Sequence, residues 1–231
     1  IKTAKKVVDE IVESGKPTYG ISTGFGELST VSISKEENAS LQRNLIISHA
    51  CGVGEPFPED IVRAIMILRV NTHAVGFSGV SLEVPLLLLN MVNEGVIPYV
   101  PSKGSLGSSG DLANLAHIAL VLIGEGKAWY KGELLSGKEA LAKAGLKPVV
   151  FTGKDGLAMI NGTTVMTAIG ALACHDAMQL LKTANIGAAL VFEAFRGIRA
   201  ALDERVHYSR PHKGQCEVAD FILKMLEGSS S

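Results

Sequence analysis

TTVMTAIGALACHDAMQLLKTANIGAALVFEAFRGIRAALD, residues 163–203, carries an apolar pattern of helical period with no clear stop. A run this long exceeds the roughly 25 residues of an ordinary globular helix, and such helices belong to bundles, where neighbouring helices cover them. The fold class read from it is mainly α. The rest of the chain agrees. Val7, Val8, Ile11 and Val12 share one helical face that Gly15 can close. Ser34 and Glu37 have capping-box spacing ahead of Leu41, Leu45 and Ile46. Pro58, Glu59 and Asp60 suit the first turn of a helix bearing Ile61, Ile65 and Leu68. Residues 81–94 read as a nearly all-round apolar, buried helix closed by Gly95. Asp111 can cap a helix reaching about Gly124, and a last amphipathic helix spans about 217–226. AWYKGELL, residues 128–135, is the one small hairpin, turning at Lys131-Gly132.

Composition bounds the function. With 231 residues, 47% hydrophobic and 19% charged, the chain can bury a substantial core. No repeat or linker forces a second domain, so residues 1–231 are read as one. A net charge of −1 and 5% aromatics offer no footprint for nucleic acid or for a charged membrane surface. The expected partners are small molecules or proteins. Cys51, Cys174 and Cys216 are odd in number and form no CxxC pair. Neither a disulfide framework nor a zinc site is expected, and a reducing cytoplasm fits. The opening IKTAKKVVDE is too charged for a signal peptide, and no uninterrupted apolar stretch approaches roughly 18 residues. The start at Ile1 rather than Met leads us to expect residues before it.

Two segments break the helical order, TYGISTGFGELST at 18–30 and VPSKGSLGSSGD at 100–111. Loops held between rigid helices are where chemistry is usually mounted. Taken alone, the second is a glycine-rich loop that could bind an anion at a helix N-terminus. No Gly-Lys-Ser/Thr follows, so it is not a phosphate loop. Tyr19 alone is a turn-flanking aromatic, and Gly24 and Gly26 are turn punctuation. His49 alone is a core histidine, and Asn161 a helix N-cap.

Together, GSLGSSGDLANLAH, YGISTGFG, SHACGVGEP and MINGTT, in one chain with RPHKGQ at 210–215, resemble the aromatic amino acid ammonia-lyase family, most closely its histidine-specific branch. The resemblance implies an ammonia-lyase/fumarase-like helical bundle with its site on loops. It implies a carbon-nitrogen lyase that deaminates L-histidine to urocanate and ammonia. It also implies a methylidene-imidazolone made from the chain itself, with no metal or dissociable cofactor. The Gly110 nitrogen would attack the Ser108 carbonyl carbon; loss of that oxygen as water closes a ring, and loss of the Ser109 hydroxyl leaves a methylidene. Gly110 suits the attack because it lacks a Cβ.

By the same resemblance Tyr19 is the base that takes the β-proton, and His49 positions the substrate imidazole or carries protons. Gly26 and Asn161 contact substrate, and Asp111 supports the ring loop. An ordinary tyrosine loses its proton near pH 10, so such a base needs surroundings that favour the phenolate. Ser48-His49 is the main pointer to histidine as substrate. His73, His117, His175, His207 and His212 match no metal spacing and are read as structural.

Two positions depart from the family pattern. Ser108 stands where Ala is common, keeping the carbonyl that must be attacked. Asn114 stands where Pro is usual and gives up that residue's pre-set φ, which predicts a less rigid loop. Family members are much longer, with a second half that supplies an arginine for the substrate carboxylate, and they share sites within a homotetramer. Residues 1–231 are therefore expected to be one incomplete catalytic domain, inactive alone. The alternatives are a tyrosine or phenylalanine ammonia-lyase or aminomutase, a truncated non-catalytic helical homologue, and a fumarase-like lyase.

Overall fold

The computed structural model describes residues 1–231 except 27, 28, 32, 108, 230 and 231, and the side chains of Lys35 and Glu36. Two compact units divide at Gly170/Ala171.

In the first unit, α1 (Lys2–Ser14) ends on Gly15 at φ 62, the left-handed cap that its glycine foretells. α2 (Lys35–His49) opens with both halves of the Ser34/Glu37 capping box. α3 (Glu59–Ala74) starts behind Pro58 with Glu59 and Asp60 in its first turn. α4 (Glu83–Glu94) closes on Gly95 at φ 74 and starts later than the pattern suggests. Its burial is one-sided. Val84, Leu87, Leu88 and Met91 are inside, whereas Leu86 and Leu89 are exposed.

α5 (Leu112–Leu122) is the centre of this unit, with Leu115, Ala116, Ile118, Ala119, Val121 and Leu122 all buried. It packs against α2 and against α6 (Gly137–Lys143) and α7 (Asp155–Ile160). α3 and α4 pair beside it and contribute Val62, Ile65, Met66, Leu88 and Met91 to the same core.

The hairpin is β4 (Lys127–Tyr130) and β5 (Glu133–Ser136), turning through Lys131 at φ 50 and Gly132 at φ 83. Two successive positive φ values match the twist of a tight hairpin. The short strand β2 (Ile97–Pro98) joins it through Ile97 opposite Trp129, making three strands. A second ladder, unforeseen in the sequence, pairs β1 (Val53–Pro56) antiparallel with β3 (Pro101–Lys103). That ladder brings the turn after α2 beside the start of the serine-glycine loop.

α8 (Thr164–Ala194) crosses the division between the units. It stops nine residues short of the expected 203. The Gly197 amide donates to the Phe192 carbonyl at 2.8 Å and the Arg196 amide to Glu193 at 3.0 Å. This is a Schellman ending with Arg196, at φ 51, in the place glycine usually takes. An arginine carries no stop signal, so the pattern read through it. By length and mean hydropathy α8 is long and apolar enough to span a bilayer, although, as expected, no uninterrupted apolar stretch of that length occurs in it. Asp176 and Lys182 interrupt its middle, where each would cost about 3 kcal/mol in lipid. A bundle helix passes the same length test.

In the second unit a 3-10 turn (Arg199–Leu202), α9 (Glu204–Tyr208) and α10 (Lys213–Met225) follow. α10 begins four residues before the expected 217, because His212 takes extended backbone and its carbonyl starts the helix by accepting from Cys216. Ala189, Ile222 and Leu226 form a small core with Phe192, Leu202 and Val218 around it.

Candidate active site

Both irregular loops reach one cleft of about 430 Å³ in the first unit. Tyr19, Phe25 and Gly26 line it from the first loop, and Gly104, Leu106 and Ser109 from the second. Ser48, His49 and Cys51 come from the end of α2, and Asn161 from the end of α7. Five of the seven catalytic and substrate-binding candidates therefore meet there, separated in sequence by up to 142 residues. Gly110 lies on backbone next to Ser109, and Ser108 falls outside the described residues.

The first loop is anchored from α2. The buried Asn38 amide donates to the Ile21 carbonyl at 2.8 Å and to the Gly153 carbonyl at 3.1 Å, and its oxygen accepts from the Gly153 amide at 2.7 Å. One side chain thus ties the Tyr19 loop to the segment entering α7. Tyr19 is 57% exposed and meets Phe25 edge-on, with centroids 6.3 Å apart. The Gly26 amide, at φ 57, makes a long 3.5 Å contact with the Tyr19 hydroxyl.

His49 closes α2. Its Nδ1 lies 2.8 Å from the Leu45 carbonyl and 3.1 Å from the Ser48 hydroxyl. A carbonyl only accepts, so Nδ1 holds the proton and Nε2 keeps the lone pair in the neutral ring. The turn that follows is fixed by His117, whose Nε2 accepts from the Gly52 amide at 3.0 Å. Burial pushes the His117 pKa down, which keeps that ring an acceptor. The backbone of Gly52 packs so closely on Gly104 that a Cβ at residue 104 would lie 3.0 Å from the Gly52 Cα.

In the serine-glycine loop Ser109 sits at φ 61 and Gly110 at φ 112, a strained pair of left-handed residues. Gly110 forms an isolated parallel bridge with Gly162, and the Asp111 amide donates to the Gly162 carbonyl at 2.7 Å. A Cβ at residue 110 would overlap that carbonyl, so only glycine fits.

Asp111 occupies the N-cap of α5, as expected, but its side chain makes no bond to the amides of that helix. Its backbone, at φ −92 and ψ 48, is not the extended form of a capping residue. The carboxylate instead reaches across to α8, with Oδ2 accepting from the Val165 and Met166 amides at 3.0 Å each. Its Oδ1 accepts from the Ser105 hydroxyl at 3.1 Å, which ties the loop to the same carboxylate. Asn161 is at the C-cap of α7, three residues before α8 starts at Thr164.

Asn114, expected to loosen the loop, supplies an anchor of its own. Its buried amide donates to the Pro101 carbonyl at 2.7 Å, fastening α5 to β3. Asn38, Ser105 and Arg69 were not singled out by sequence. Each reads as an ordinary polar residue on a helix or loop, and only the fold shows where they bond.

A family model described as aromatic amino acid lyase matches residues 1–231. A histidine ammonia-lyase of Treponema denticola is 76% identical over 231 residues, covering all of this chain and 46% of that relative. Among solved structures, a histidine ammonia-lyase from Trypanosoma cruzi superposes with a TM-score of 0.90 at 37% identity, over 96% of this chain and 43% of the other. A tyrosine aminomutase from Streptomyces globisporus superposes with a TM-score of 0.92 at 38% identity, over 98% and 43%. The chain spans less than half the length of these relatives.

Proposed function

The chain belongs to the aromatic amino acid lyase family, and from that premise we propose that it is the N-terminal part of an enzyme deaminating L-histidine to urocanate and ammonia. Residues 1–231 are then one incomplete catalytic domain of a cytoplasmic homotetramer. The observation that carries this reading is the cleft in which Tyr19, Gly26, His49, Ser109 and Asn161 converge beside the Gly110–Gly162 bridge.

The residues present fit a methylidene-imidazolone built from Ser108, Ser109 and Gly110. The fit rests on two successive left-handed residues and a glycine with no room for a Cβ. The group supplies an electrophile that bonds covalently to the substrate and eases departure of a poor amine. The chain's own side chains do the rest. Tyr19 is the base for the β-proton, exposed at the cleft wall. His49 holds its Nδ1 proton on the Leu45 carbonyl and offers Nε2 to the substrate imidazole. Asn161 contacts substrate, and Asp111 stiffens the loop through Ser105 and the start of α8. Histidine is favoured as substrate by the 76% identical relative and by the Ser48-His49 pair in the cleft.

A second reading, an aminomutase or lyase acting on tyrosine or phenylalanine, is supported by the superposition on tyrosine aminomutase. The test uses the full-length polypeptide. Its intact mass should fall two waters short of the sequence value, and L-histidine should yield the absorbance of urocanate. The Ser109→Ala variant, lacking the hydroxyl to be eliminated, should fold yet be inactive and not show the two-water loss. A wild-type protein at full mass points to the non-catalytic homologue, and product from tyrosine or phenylalanine alone to the second reading.

A further inference from the structure

We propose that Arg69 is a positioning residue of this site, its buried guanidinium setting the Asn161–Gly162 backbone against which Gly110 is braced. The proposal rests on the reading above.

Arg69 lies on α3 with only 3% of its surface exposed. Among the described residues no carboxylate pairs with it, and its Nε has no hydrogen-bond partner. A buried, uncompensated cation costs several kcal/mol, so its retention calls for a task that a neutral side chain of the same volume would not perform. The donors show the task. Nη2 donates to the Ala158 carbonyl and, at 2.9 Å, to the Asn161 carbonyl. These are orphan acceptors at the C-terminal end of α7, where a positive charge is favoured.

The contact continues one residue further. A Cβ at Gly162, whose φ is 154, would collide with Nη1, so the guanidinium lies directly against that glycine. The carbonyl of Gly162 accepts from the Asp111 amide at 2.7 Å and flanks Gly110. Arg69 therefore lies against Gly162, and Gly162 in turn against Gly110, a chain of close contacts from the guanidinium to the ring-forming backbone. The same guanidinium fixes the carbonyl of Asn161, a residue that lines the cleft. A lysine would supply charge and could reach the carbonyls, but not the planar group whose Nη1 lies against Gly162 while Nη2 holds both carbonyls. His73 is wholly buried on the same helix, held neutral by burial and by the charge of Arg69, so the two side chains carry one positive charge between them.

The test compares Arg69→Met and Arg69→Lys with wild type in the full-length polypeptide. Water loss is read by intact mass and kcat and KM on L-histidine, each normalised to folded protein well below its own Tm. If Arg69 positions the site, Arg69→Met shows incomplete water loss or a kcat lowered about ten- to a hundredfold, as misplacement of reacting groups by about 1 Å would produce. Arg69→Lys recovers part of that loss. Full water loss and wild-type kcat in both variants, with only Tm lowered, would overturn the proposal. So would failure of both variants to fold, which would make Arg69 a determinant of the fold alone. Wild type at full mass would overturn the underlying reading together with this one, and the control separates that case from the others.

Discussion

His73 sits on α3 fully out of solvent, with Nδ1 3.0 Å from the Ser78 hydroxyl and Nε2 without a partner among the described residues. Burial first, then the charge of Arg69, pushes its pKa down to about 3. In the unfolded chain an ordinary histidine titrates near 6.5. Above that pH both states are neutral and His73 has no effect on the balance. As pH falls below it, the unfolded state takes a proton that the folded state refuses, so stability is lost progressively down to about pH 3. Urea unfolding at pH 7.5 and pH 5.0 should show wild type losing about 2 kcal/mol more than His73→Gln. Equal losses would rule this out. Nothing in the spacing of His73 distinguishes it from a surface histidine. Tyr19, His49 and Asn161, which line one cleft, could be singled out because they sit in short motifs around loop glycines. Arg69 and Asn38 were not, because a polar residue on an amphipathic helix reads as solvated until the packing reveals what covers it.

At the scale of elements, the boundaries marked by a local signal were the legible ones. The Ser34/Glu37 box and the glycines after α1 and α4 act within one turn, so the chain spells them out. The β1–β3 ladder joins residues nearly fifty apart through short, mixed stretches that lack strand periodicity. The cap of α8 is also non-local. Asp111, more than fifty residues upstream, satisfies two of its leading amides, while the Thr164 hydroxyl is buried without a partner among the described residues. Asp111→Ala should free both amides and the Ser105 hydroxyl together. Loss of a helix cap costs about 1–2 kcal/mol, which lowers Tm by roughly 2–4 °C per kcal/mol in a chain of this size. Amide exchange should rise at Val165 and Met166, at the start of α8. If exchange rose instead in the first turn of α5, the carboxylate would be capping its own helix in solution. Asn114→Ala would test the neighbouring anchor, leaving the Pro101 carbonyl without its donor.

At the scale of the molecule, the second unit raises the question of what covers it. Burying Ile222 and Leu226 contributes roughly 2–3 kcal/mol each, a small return for ordering some sixty residues. On and after α8, Leu180 (71%), Leu190 (64%), Phe195 (83%) and Ile198 (76%) are mostly exposed. An apolar surface of this kind on a long helix is what bundles bury between neighbours. The helical pattern announced such a bundle, but it could not say which helices supply the cover. The 231-residue chain by itself is therefore expected to associate through this face and to lack lyase activity. Light scattering on the purified chain should give a mass above that of one copy. Leu180→Glu combined with Phe195→Glu should lower that mass, while far-ultraviolet circular dichroism still shows the helices of the first unit. A wild-type chain that stayed monomeric at tens of micromolar would show that the exposed face needs no partner. One that turned over L-histidine at an ordinary rate would show that the cleft is complete as it stands.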